Sequence, residues 1–128
     1  MDKPKKILIV EDEKSLADML ALSLKISGFE VKNAYNGDEA IEILKNEIFD
    51  LVMLDLVMPK KDGFTVLADM NATKIKTPVI VSSNLFQGED VKRAKELGAR
   101  DFFIKSNTAI TDVVDYIATS LKNKKGKP

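Results

Sequence analysis

The 128-residue chain contains no cysteine and no histidine. Without cysteine there is no disulfide and no thiolate nucleophile, and without histidine there is no imidazole base. The two absences together also exclude a zinc site of the usual kind. Only carboxylate, hydroxyl and amine groups therefore need to be considered as carriers of chemistry.

The chain also lacks an excess of charge of either sign, because 20 basic residues balance 20 acidic ones. A chain without net charge has no general attraction to nucleic acid or to an anionic membrane, and any partner must recognise a local surface. We therefore expect this chain to bind neither nucleic acid nor a membrane directly.

Long apolar runs are absent as well. Near the N-terminus only four consecutive apolar residues precede Glu11, far fewer than a signal-peptide core or a membrane span requires. We expect a cytoplasmic protein with one domain over residues 5–121. Residues 122–128 are basic and predict either the end of the last helix or the start of a linker.

Short apolar runs alternate along the chain with segments of helical periodicity. This alternation is typical of βαβ units in a parallel sheet with helices on both faces. Five rounds fit, with strands expected at residues 7–10, 29–34, 51–54, 79–82 and 101–104. The fold class is therefore α/β, a doubly wound five-stranded parallel sheet with five helices.

The helical segments carry apolar stripes that predict their buried faces. The first helix is expected to bury four residues: Leu16, Met19, Leu20 and Leu24. Gly28 and Gly98 should follow the first and fourth helices as left-handed caps. The second helix should begin near Asn36, and the third should follow Asp62.

Polar side chains stand where four of the predicted strands end. Glu11 and Asp12 follow the first strand, Asp55 the third, Ser83 the fourth and Lys105 the fifth. In open α/β sheets ligands bind at the carboxyl ends of the strands, where the strand order reverses. One such residue would suit a solvated loop, but five together predict a functional site.

Three neighbouring carboxylates repel each other and remain ionised together only if a cation lies among them. An oxygen-only site with room for water suits Mg²⁺. A carboxylate beside Mg²⁺ can attack phosphorus and form an acyl phosphate, while the Lys105 ammonium and the Ser83 hydroxyl suit the other phosphoryl oxygens. The residues thus predict phosphoryl transfer onto the protein itself.

Taken together, these residues and several dipeptides between them resemble the response-regulator receiver domains of two-component signalling, and in particular the chemotaxis-regulator type. The matching positions are Glu11-Asp12, Asp55, Met58-Pro59, Asp62-Gly63, Pro78 to Ser83, Gly98-Ala99, Phe102 and Lys105. The resemblance covers residues 5–121. It implies a flavodoxin-like fold whose switch point lies between the first and third strands.

The resemblance also implies a role for each site residue. Asp55 would be the phosphoacceptor and Lys105 its cationic partner. Asp12, Asp55 and the backbone carbonyl of Val57 would bind Mg²⁺, and Glu11 would assist through a bound water.

A signalling role follows from the same resemblance. The Ser83 hydroxyl would follow the phosphoryl group, and the ring of Phe102 would change rotamer with it. The expected partners are a sensor histidine kinase or phosphotransfer protein and a downstream effector. The chain would not be an enzyme beyond catalysing its own phosphorylation and dephosphorylation.

Three positions depart from the family pattern. Asn84 replaces a small residue, Leu85 is apolar, and Ser106 replaces the proline that usually follows the lysine. Without proline we expect a trans Lys105-Ser106 peptide, because a cis bond would cost about 2.5 to 4 kcal/mol.

Other readings of the sequence compete with the receiver domain. A haloacid-dehalogenase-type phosphatase needs a second Asp at position 57, which is Val57 here. A flavodoxin-type FMN carrier needs a phosphate loop after the first strand, where the acidic residues would repel phosphate. An interaction module that keeps the receiver fold but signals without phosphorylation remains the alternative function.

Overall fold

A computed structural model describes residues 4–58, 61–84, 88–105 and 108–126. The expectations about Leu85, Ser106 and the Lys105-Ser106 peptide concern residues outside these ranges. Within them strands and helices alternate in the order β1 (Lys6–Val10), α1 (Lys14–Ile26), β2 (Glu30–Ala34), α2 (Gly37–Asn46), β3 (Leu51–Leu54), α3 (Gly63–Ala72), β4 (Val79–Ser83), α4 (Gly88–Glu96), β5 (Asp101–Ile104) and α5 (Ile110–Gly126).

The five strands form one parallel sheet in the order β2-β1-β3-β4-β5. The chain builds outward from β1 to β2 on one side and then from β3 to β5 on the other. The strand order therefore reverses between β1 and β3, which confirms the predicted fold class and switch point. The observed strands begin or end within one residue of their predicted bounds.

Local signals account for where the helices begin and end. The Asn36 side chain accepts a hydrogen bond from the Glu39 amide at the start of α2, and Asp62 accepts one from the Thr65 amide at the start of α3. Both are N-caps. Gly28 and Gly98 have φ angles of 100° and 107°, which confirms the two predicted left-handed caps.

The sheet separates two apolar layers, because successive strand residues point to opposite faces. Leu8 and Val10 face the layer formed with α2, α3 and α4. Ile7 and Ile9 face the layer formed with α1 and α5. Helices cover the central strands β1, β3 and β4 on both faces, which explains why these strands are apolar rather than alternating.

The predicted buried face of α1 was wrong at Met19, which is 55% exposed. The helix buries Ala17, Leu20, Ala21 and Leu24, a stripe with i, i+3, i+4, i+7 spacing. Met19 lies outside that stripe because each residue turns the helix by about 100°. Alanines occupy two of the four buried positions, so the size of a side chain does not decide which face of α1 packs.

The last helix, α5, buries Val113, Val114, Ile117 and Leu121 against α1 and the sheet. Its backbone stays helical beyond residue 121 and ends at Gly126. None of the helices described is both long and apolar enough to cross a lipid bilayer.

We predict that Ile117→Ala lowers the free energy of unfolding by about 2 to 5 kcal/mol, because the fully buried side chain would leave a cavity in the layer beneath α5. Met19→Ala is the control and should change this free energy by less than about 0.5 kcal/mol. Urea unfolding followed by circular dichroism measures both. Equal losses in the two variants would contradict the assignment of the α1 surface.

Candidate functional site

Pairing of β1 with β3 brings two acidic segments to the same level at the carboxyl end of the sheet. Val10 pairs with Leu54, and the Asp55 amide donates a hydrogen bond of 3.0 Å to the Val10 carbonyl. Glu11 and Asp55 are therefore the first residues beyond two neighbouring strands. With Asp12 they form a cluster in which one carboxylate oxygen from each residue lies within 4.8 Å of the others.

Two of these carboxylates are buried and share one lysine. Glu11 is 4% exposed and Asp55 is 5% exposed, whereas Asp12 is exposed. The Nζ of Lys105, which follows β5, lies 2.8 Å from Glu11 Oε1 and 3.1 Å from Asp55 Oδ2. Buried carboxylates require such partners, because an unpaired charge away from water is costly.

Backbone amides complete the contacts of the two buried carboxylates. The Glu13 amide donates a hydrogen bond of 3.0 Å to Glu11 Oε2, and the Val57 amide donates one of 3.3 Å to Asp55 Oδ1. Sequence reasoning did not assign a role to either amide. The sequence contains three consecutive acidic residues from Glu11, but it does not indicate where a backbone amide points, because that direction depends on the geometry of the loop.

The electrostatics of the cluster favour a charged lysine. Burial raises the pKa of Glu11, although hydrogen bonds from Lys105 and from the Glu13 amide oppose that increase. Burial lowers the pKa of Lys105, but its contacts with Glu11 and Asp55 outweigh burial and raise the pKa overall. The lysine therefore remains an ammonium group between two carboxylates.

The chemistry of this donor set fits a divalent cation. When all three carboxylates of the cluster are ionised, the single ammonium of Lys105 leaves two negative charges uncompensated among these four side chains. A hard dication with oxygen ligands would balance that charge. An oxygen-rich cluster without cysteine or histidine suits Mg²⁺ better than a softer metal.

The cluster opens into a cleft of about 360 Å³ at the carboxyl end of the sheet. Ser83 is the last residue of β4 and is fully buried, while Asn84 beside it is exposed. Val57, 58% exposed, also lines the cleft. The residues lining the cleft are Glu11, Asp12, Glu13, Asp55, Val57, Ser83, Asn84 and Lys105.

The structure thus brings together the predicted residues Glu11, Asp12, Asp55, Ser83 and Lys105. Phe102 is not among the described residues that line the cleft. Its ring is partly buried and packs against the apolar layer of α2, α3 and α4. In β5 it pairs with Val81 of β4, three residues before Lys105.

Comparison with known proteins places these features in a family. The model of the response regulator receiver domain family matches residues 7–117. The transcriptional regulatory protein DltR of Streptococcus agalactiae is 35% identical over 100 residues, which are 78% of this chain and 45% of DltR. The chain thus spans less than half the length of that curated relative.

Solved structures show the same architecture. The receiver domain of the Francisella response regulator 1452 superimposes with a TM-score of 0.86 at 25% identity, covering 94% of this chain and 98% of that one. The phosphorylated cyanobacterial phytochrome response regulator RcpA superimposes with a TM-score of 0.77 at 29% identity, covering 89% of each chain.

We predict that Asp12→Asn stabilises the metal-free protein, because it removes one of three mutually repelling carboxylates. Urea unfolding in EDTA should show a gain of about 1 kcal/mol, the size of one charge pair at this separation in water. Asp18→Asn is the control, since Asp18 is an exposed residue of α1. A gain no larger than that of the control would argue against repulsion in the cluster.

Proposed function

Because the chain belongs to the response-regulator receiver domain family, we propose that it is a phosphorylation-dependent signalling switch whose phosphoacceptor is Asp55. One observation carries the assignment to this residue. The Asp55 carboxylate contacts the Lys105 ammonium at 3.1 Å, belongs to the acidic cluster and borders the cleft. Acceptor, cation site and counter-charge therefore lie together where a phosphoryl donor could enter.

The proposed reaction is a displacement at phosphorus. A carboxylate oxygen of Asp55 forms a bond to the phosphorus of a phosphohistidine on the donor protein, and the phosphorus–nitrogen bond breaks as the imidazole leaves. The product is an acyl phosphate. The ammonium of Lys105, already next to Asp55, is placed to move onto an oxygen of the incoming group and offset its charge.

Mg²⁺ is the cofactor we propose for this step, where it would neutralise charge on the phosphoryl oxygens. Asp12, Asp55 and the backbone carbonyl of Val57 would bind it directly, and Glu11 would act through a bound water. The exposed position of Asp12 suits a ligand that keeps several waters of hydration on its metal. Burial of Glu11 and Asp55 keeps their oxygens in defined positions.

Signalling would depend on Ser83 and Phe102. Phosphorylation adds about −1.5 to −2 charges. Among the described residues that line the cleft, buried Ser83 is the one with a hydroxyl group that could follow them. A ligand must favour one state by about 5.5 kcal/mol to shift a ratio from 1:99 to 99:1. One hydrogen bond to a charged group supplies about 1.5 to 3 kcal/mol, so Lys105 must contribute as well.

The partners proposed for this switch are a sensor histidine kinase or phosphotransfer protein and a downstream effector protein or domain. We expect the effector to bind the surface formed by α4, β5 and α5, and Phe102 belongs to β5. We propose a cytoplasmic location and no direct contact of this chain with nucleic acid or membrane.

The alternative function is that of an interaction module which keeps the receiver fold but signals without phosphorylation. The next experiment distinguishes this module from the phosphorylated switch.

Incubation with acetyl phosphate and Mg²⁺ should add one phosphoryl group to the protein, detected as a mass increase. Asp55→Asn should abolish the increase, because an amide cannot form the acyl phosphate, and EDTA should suppress it in the parent. Asp50→Asn is the matched control, since Asp50 lies before β3 and away from the cleft. Absence of incorporation in the parent would favour the alternative, and full incorporation in Asp55→Asn would reject this acceptor.

Ser83→Ala should still accept the phosphoryl group, because the hydroxyl is not the nucleophile. Its phosphorylated form should nevertheless show smaller NMR chemical-shift changes around Phe102 than the phosphorylated parent. Ser23→Ala provides the control, since Ser23 lies in α1 and does not line the cleft. Shift changes of equal size in Ser83→Ala and the parent would refute the role given to the hydroxyl.

A further inference from the structure

The start of α3 is in close contact with the backbone of Asp55 and Leu56. Gly63, the first residue of α3, lies so near the Asp55–Leu56 backbone that a Cβ atom there would come within 2.5 Å of the Asp55 carbonyl oxygen. Its amide also donates a hydrogen bond of 3.0 Å to the Leu56 carbonyl. The start of α3 is therefore packed directly on the phosphoacceptor backbone.

A second close approach joins Lys61 to α2. A Cβ atom on Gly37, the first residue of α2, would overlap the carbonyl oxygen of Lys61 and lie 2.7 Å from its Cβ. Backbone at position 61 thus rests against the start of α2. The metal-ligand carbonyl proposed above belongs to Val57, only four residues earlier in the chain.

The Lys61 side chain forms ion pairs with both α2 and α3. Its Nζ lies 2.7 Å from Asp69 Oδ2 on α3 and 3.6 Å from Asp38 Oδ1 on α2. The hydrogen bond to Asp69 is the main cause that raises the pKa of Lys61, so the lysine stays charged throughout the neutral range. One ammonium therefore pairs with carboxylates on both α2 and α3.

We propose that Lys61 is a positioning residue for the Mg²⁺ site, acting by holding the segment that carries the Val57 carbonyl. This inference rests on the proposed function, because it assumes that the acidic cluster binds Mg²⁺. Mg²⁺ requires near-ideal octahedral geometry, and a segment already anchored at Lys61 loses less conformational freedom when its carbonyl becomes a ligand. Its ion pairs would then contribute to metal affinity more than to folding stability.

The sign of the expected effect separates positioning from simple electrostatics. Loss of a positive charge would by itself strengthen cation binding rather than weaken it, because a lysine repels a metal cation. Positioning predicts the reverse, weaker binding once the segment is released. Partly exposed ion pairs also contribute little to stability, so the apoprotein should unfold almost as before.

The test compares the Mg²⁺ dissociation constants of the parent and Lys61→Met, measured by NMR titration of the apoproteins. The constant should rise about threefold to tenfold, at or below the lower end of the loss seen when groups supporting metal ligands are removed. Lys61→Arg, which can bridge the same two carboxylates, should restore most of the affinity. When acetyl phosphate is the donor, Lys61→Met should raise the Mg²⁺ concentration that gives half of the maximal phosphorylation rate. The rate at saturating Mg²⁺ should remain that of the parent.

Lys32→Met is the matched control. Lys32 also forms a partly exposed ion pair, with Glu47, but Glu47 follows the opposite end of α2 from Gly37. This variant loses the same charge and should bind Mg²⁺ like the parent. Urea unfolding in EDTA reports whether Lys61→Met remains folded.

The possible results are distinguishable. A parent that binds no Mg²⁺ would overturn the proposed metal site and this inference with it. A parent that binds Mg²⁺, together with a Lys61→Met variant that binds equally or more tightly, would overturn only the positioning role. An equal loss of Mg²⁺ affinity in Lys32→Met would also overturn the positioning role, because the effect would then not depend on Lys61.

Discussion

The parallel pairing of β1 with β3 is the constraint on which the site depends. Because Val10 and Leu54 lie opposite each other, the next residues, Glu11 and Asp55, emerge side by side at the carboxyl end of the sheet. Antiparallel pairing would have sent them to opposite ends. The pairing of β4 with β3 and β5 then adds Ser83 and Lys105 at the same end, so the site draws on four strands.

This arrangement concentrates negative charge where burial makes it costly. Lys105 offsets part of that cost by contacting Glu11 and Asp55 together, and backbone amides of Glu13 and Val57 offset more. When all three carboxylates are ionised, the two negative charges that remain would favour binding of a divalent cation. The same charge imbalance would contribute to binding of the Mg²⁺ proposed for this site.

Much of the fold and the site could be predicted because both depend on patterns that are local in sequence. Apolar runs indicated the strands, and glycine and cap residues indicated helix ends such as Gly28 and Gly98. The prediction for Met19 was wrong because Met19 is turned by about 100° from its buried neighbour Leu20 and points away from the stripe. The size of a side chain does not decide which face of a helix packs against the sheet. The amide of Glu13 could not be predicted, since its direction depends on the loop it belongs to.

The sequence by itself determined which chemistry is possible: it supplies carboxylates, a lysine and a hydroxyl at strand ends, and it contains neither cysteine nor histidine. It also determined the order of strands and helices, because hydrophobic periodicity is a property of consecutive residues. Only the tertiary structure decided that Lys105 contacts both Glu11 and Asp55, and that Lys61 joins α2 to α3. Those contacts join residues far apart in the chain, and their distances depend on how helices pack onto the sheet rather than on any local pattern.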